Sequence, residues 1–136
     1  MPRSFTLTFL AVLAPFFAFS LHHQTTAPLW EHMVEVNVQW ENQGFDPNDF
    51  QIPIEFQTDA DRIQTHLLLV THFLRNRQPE GLSAEQASNR TQMLEHLEQY
   101  AYQGQFPINA NHNFRIPYFI DHKGTACAVG HLLIQS

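Results

Sequence analysis

Eleven residues near the C-terminus, "DHKGTACAVGH" from Asp121 to His131, gather most of the reactive chemistry that this chain offers. They contain its single cysteine, Cys127, with His122 five residues before it and His131 four after. A thiolate is both a nucleophile and a metal ligand, and an imidazole can accept its proton. Asp121 stands beside His122 and has the right chemistry to orient its ring.

Three readings follow from these residue types. In the first, Thr125 caps a final helix from Ala126 to Gln135 and Cys127 lies in its first turn. The helix dipole and free N–H groups there favour the thiolate, with His122, His131 or His112 as base and Asp121 as orienter. In the second, His122, Cys127 and His131 ligate a metal, since residues four apart share a helix face. Structural zinc wants four closed ligands, and one cysteine counts against it. In the third, Cys127 is a small hydrophobe in "ACAVG", where small side chains let a helix start approach its neighbour. Val129, Leu132 and Leu133 supply apolar company, and packing is the reading adopted. Asp121 is then a turn residue whose carboxylate takes backbone N–H groups near Gly124. Gly124 supplies a positive φ and Gly130 a close helix contact. His122 faces water beside Lys123.

The elements that hold this segment are read from caps and periodicity. The chain has 136 residues, enough for one domain. Residues 1–20 read as a signal peptide: Arg3, an apolar run from Phe5 to Phe19, then Ala18 and Ser20 before the cut. Residues 21–27 are a flexible mature N-terminus. There His23 stands third from the new amine, a pattern that wraps Cu(II) or Ni(II) in a square plane. Residues 28–136 form a single helical domain. Its first helix, 28–42, takes Thr26 as N-cap, although Val34, Val36, Val38 and Trp40 also alternate like a strand. Residues 45–57 are a loop with two prolines. The second helix, 59–76, follows Thr58 and Asp61, and the third, 84–103, follows a capping box of Ser83 and Gln86 with Leu82 and Ala87 as a staple. Gly104 ends it. His66, His72 and His96 flank the apolar helix faces as partly exposed residues. A short β or extended segment at 117–121 precedes the last helix, so the fold class is mainly α, with three to four helices.

Composition restricts the partners. Cleavage removes Arg3 and leaves six basic residues against thirteen acidic ones. A phosphate footprint needs clustered Lys and Arg, so nucleic acid is not an expected partner. The apolar N-terminal run is short for a span and contains Pro15, so no stable membrane insertion is expected after cleavage. One cysteine allows no intramolecular disulfide, and stability must come from the core. The many aromatics, among them Trp30, Trp40, Tyr100, Phe106 and Tyr118, read as core packing, with an aromatic groove for a glycan or peptide as the alternative.

"RIPYFIDHKGTACAVGHLLIQS", with upstream "LSAEQASNRTQMLEHLEQYAYQGQFP" and "LWEHMVEVNVQWEN", resembles a family of small secreted bacterial proteins. Its pattern is R-x-P-x-F-I-D-x-x-x-T-x-C-A-V-G-[YH]-L, preceded by two helices. The resemblance covers the chain from about residue 29 and implies export and a shared fold. It supplies no activity. In that family the sequence continues past the position of Ser136, and position 131 is often Tyr, which speaks against His131 as a ligand. "GHLLIQS" ends apolar and uncapped, so a domain truncated at the C-terminus is expected, with Leu132, Leu133 and Ile134 partly exposed.

Secretion or a periplasmic location follows from the leader. The expected function is a non-catalytic binding or envelope-associated role, toward a protein, peptide or glycan, with no cofactor implied. The alternative is a cysteine-dependent enzyme, a thiol hydrolase or transferase using Cys127 with a nearby histidine.

Overall fold

The computed structural model describes residues 26–112 and 116–135. The segment read as a signal peptide, His23 and Arg115 lie outside these residues. Four helices dominate: α1 (Leu29–Val36), α2 (Asp59–Asn76), α3 (Ala84–Gln103) and α4 (Ala128–Gln135). Two-residue strands β1 (Ala27–Pro28) and β2 (Pro53–Ile54) pair antiparallel, Ala27 opposite Ile54 and Pro28 opposite Pro53. Short 3-10 helices fill the connection, Val38–Asn42 and Pro47–Phe50. The mainly helical fold class read from the sequence is the one observed, with an extended stretch joined by an Ile120–Ala126 bridge before the last helix.

Helices α2 and α3 form the central pair, and local chemistry defines both starts. The Thr58 hydroxyl accepts from Asp61 N while the Asp61 carboxylate accepts from Thr58 N. Ser83 and Gln86 repeat the reciprocal pair at the start of α3. Each device occupies two donors that a helix start otherwise leaves open. Gly104 closes α3 in the left-handed region at φ 65°. Leu82 and Ala87 remain exposed, and the buried face of α3 is Leu94, Leu97, Tyr100 and Ala101.

The first helix is shorter than its periodicity suggests. Thr26 does not cap it; Pro28 precedes Leu29 while still part of β1, and no side chain caps the start. Asn37 is extended and ends α1 after Val36. The Asn37 side chain then accepts from Gln39 N and begins a 3-10 helix that carries Trp40 inward. The alternation of Val34 to Trp40 therefore reflects a break in the helix, with a change of face.

Two apolar centres result. Leu67, Leu97, Tyr100, Ala101 and Phe106 are buried together, with Ile63, Ala128 and Leu132 packed against them. An aromatic cluster of Trp40, Phe45, Phe50 and Phe73 fills the space between the 3-10 helices and α2. His66 is 7% exposed and belongs to this interior, which corrects its reading as a partly exposed flank. Its Nδ1 accepts the Trp40 indole N–H. His72 is exposed and His96 half-buried. Among the described residues no helix is long and apolar enough to cross a membrane.

Candidate functional site

The turn that carries the reactive segment is organised by Asp121. Its Oδ1 accepts from Lys123 N and Thr125 N, each at 2.9 Å, and its Oδ2 accepts from Ile108 N at 3.0 Å. Its own N–H donates to Thr125 O, and Gly124 N donates to Asp121 O. Gly124 adopts φ +82°, which closes the turn. Three backbone donors favour the carboxylate, that of Ile108 most, and outweigh burial; they pull the acid down to about 2. The carboxylate thus binds backbone, the turn role adopted from the sequence.

This turn sets where α4 begins. Thr125 spends its N–H and carbonyl on Asp121, and Ala126 pairs with Ile120. The helix therefore starts at Ala128, two residues later than Thr125 as a cap would place it. Cys127 becomes the residue before the first helical position. Its N–H donates to Phe119 O at 2.9 Å, and its Sγ accepts from Gly130 N at 3.4 Å. The thiol occupies the place of an N-cap side chain, with sulfur as a weak acceptor.

His122 is exposed in the turn. His131 lies one turn along α4, and its ring packs on Tyr100 with centroids 4.8 Å apart and planes 33° apart. His112 is exposed, and its N–H donates to Asn109 Oδ1. Cys127 itself is half-buried. Among the described residues, no group of three or more His, Cys, Asp or Glu side chains is placed to hold a metal ion.

The residue that ties Cys127 to the core is Tyr100 of α3. Its hydroxyl donates to Ala126 O at 2.8 Å. Burial, aided by the nearby Cys127, pushes this phenol up to about 12, so it stays a neutral donor. In the sequence Tyr100 was one aromatic among many, and nothing near it pointed to this bond.

Beside these residues runs a groove of about 580 Å³. Val34, Val36 and Val38 line it with Ile63 and Leu67 of α2 and with Phe106, Pro107, Ile116, Pro117 and Tyr118. Cys127 and Ala128 close one side with Tyr100. The lining is predominantly apolar; Glu35 and Asn37 are its polar members from α1 and the residue after it. Chemically this is a slot for apolar groups with a thiol in its wall. The groove joins segments far apart in the chain, so no local motif marked it. No family model matches this chain, and neither a curated protein nor a solved structure does.

Proposed function

We propose that this chain is an exported, non-catalytic binding domain whose groove beside Cys127 takes an apolar peptide segment. The groove itself carries this reading: about 580 Å³ of mostly apolar lining, open to the surface, between α1, α2 and the stretch before α4. Binding sites of this kind are concave and apolar with a few polar groups that orient the ligand. The arrangement around Cys127 supports binding rather than turnover. The sulfur accepts an N–H from its own helix, and the His131 ring packs on Tyr100. An acidic mature chain with a leader-like N-terminus supports export and a protein or peptide partner over nucleic acid.

Selection of twelve-residue peptides displayed on phage tests the proposal. Enriched apolar sequences that shield Cys127 from iodoacetamide, and that no longer bind Val36→Asp, are the expected result. Failure to enrich, or binding indifferent to Val36→Asp, overturns it.

A thiol hydrolase or transferase is the second reading. One observation favours it: Cys127 stands half-buried at the start of α4 and faces the groove. Fast labelling of the folded protein with an apparent pKa well below the free-thiol value of about 8.5 would promote this reading.

A further inference from the structure

A second, smaller pocket of about 240 Å³ lies along the C-terminal half of α2, where Trp40, Phe45 and Phe73 form its wall. Asn37, Gln39, Gln43 and Arg77 are its polar lining residues. Its volume is below the about 300–1,000 Å³ of sites for drug-sized ligands, and it matches a single ring better than a chain. The aromatic wall is held rigidly. Phe45 and Phe73 have centroids 4.5 Å apart, Trp40 and Phe45 4.9 Å, and the Trp40 N–H is anchored on His66.

Arg77 is unlike the other described arginines. Arg62 pairs with Glu35 and Asp59, and Arg75 forms a fork with Glu98. Arg90 donates to the carbonyls of Leu74 and Arg77. The Arg77 guanidinium instead lies over the Phe45 ring, 4.6 Å from its centroid, and donates to Gln43 O at 3.2 Å. It meets no carboxylate among the described residues. A guanidinium has five N–H donors in a fixed fork that matches a carboxylate. Here the ring and the carbonyl hold that fork at the pocket, in a chain where acidic residues outnumber basic ones, 13 to 7.

We propose that this pocket binds an acidic sugar unit of the hexuronate class. The ligand carboxylate takes the Arg77 fork, a charge-assisted pair of the stronger kind. The C–H face of the sugar ring lies against the aromatic wall, which is apolar and built of rings tilted to one another. The hydroxyls take the exposed Gln39 and Gln43 side chains, whose amides both donate and accept. A purely apolar acid would leave these amides unused, and a neutral sugar would leave Arg77 unused. The two pockets share Asn37 in their linings, but Arg77 does not line the groove beside Cys127 and Val36 does not line this pocket, so the two proposals can be tested apart.

The test is saturation-transfer NMR on the purified chain with sodium glucuronate, glucose and cyclohexanecarboxylate, each titrated. Saturable glucuronate binding is expected, with at least a tenfold weaker response to each of the other two. Arg77→Gln should weaken glucuronate at least tenfold while Arg75→Gln leaves it unchanged. Arg77→Lys, which keeps the charge without the fork, should fall between and decides the matter if Arg77→Gln fails to fold. Four results would each overturn the proposal: no saturable glucuronate binding; glucose or cyclohexanecarboxylate binding as tightly; binding indifferent to Arg77; and an equal loss in Arg75→Gln. Binding unchanged in Val36→Asp separates this site from the peptide groove, and its loss there also counts against the proposal.

Discussion

The Trp40 indole N–H donates to His66 Nδ1 across 2.8 Å in the interior, joining the first 3-10 helix to α2. The two rings also meet near edge-on, with centroids 5.9 Å apart. An accepting Nδ1 assigns the imidazole proton to Nε2. His66→Phe keeps an aromatic ring but removes the acceptor, leaving the indole N–H buried and unpaired. Such a group costs about 1–3 kcal/mol. Urea unfolding should show that loss, and the Trp40→Phe, His66→Phe double variant should lose less than the two singles combined. Strict additivity would mean that the bond contributes nothing.

Asp121 predicts an acid limb in stability. Its carboxyl sits at about 2 in the fold, held down first by the Ile108 N–H and then by those of Thr125 and Lys123. In the unfolded chain an aspartate titrates at about 3.9. A depressed value means that the stabilisation is complete above the unfolded pKa and fades as pH falls through the folded one. Unfolding midpoints should therefore drop between about pH 4 and pH 2. Asp121→Asn should have a lower midpoint at neutral pH and a flatter acid limb. An unchanged acid limb in that variant would remove Asp121 as its source.

Gly130 permits the closest approach in the C-terminal segment. A Cβ there would stand 3.0 Å from Phe119 O and 3.3 Å from the Ala126 Cβ. Alanine favours the helix over glycine by about 1 kcal/mol. Overpacking against backbone costs about 1–3 kcal/mol, so the clash should win. Gly130→Ala is expected to lower thermal stability and to weaken the Cys127 N–H bond to Phe119 O, the latter visible as faster amide exchange at Cys127. A stabilised variant would show that Phe119 moves aside freely.

Cys127 should behave as a capping residue. Serine is a preferred N-cap and is smaller than cysteine by little, so Cys127→Ser is expected to stay within about 1 kcal/mol of the parent. Peptide capture by the groove should survive the change. Iodoacetamide should label the folded protein more slowly than the protein in urea. Loss of peptide capture in Cys127→Ser, with the fold intact, would show that the sulfur itself contacts the ligand.

The legible parts of this fold were those built from neighbours in the chain. Thr58 with Asp61 and Ser83 with Gln86 state where α2 and α3 begin, and Gly104 where α3 ends, because each device acts within one turn. The start of α4 at Ala128 differs from the expected Ala126 because Thr125 has two suitors. As a Thr before an apolar run it resembles a cap, but its N–H and carbonyl go to Asp121. The end of α1 at Val36 differs from the expected 42 because Asn37 changes the chain direction inside a pattern compatible with either period. The groove and the Arg77 pocket were beyond local reading. Val36, Ile63, Phe106 and Cys127 meet only after α2 and α3 have packed.

The three backbone bonds to Asp121 also bear on how the chain can change over time. They tie Ile108 to residues 121–125, so the stretch between them begins and ends on one side chain. Such a closed loop resists lengthening only weakly, since each doubling costs about 0.6 kcal/mol of closure entropy. Residues 109–112 are mostly exposed, while Ile116, Pro117 and Tyr118 line the groove. Insertions at 109–112 can therefore be accepted while the knot at Asp121 holds the framework still. Variation in the length of this arc becomes separable from the integrity of the scaffold.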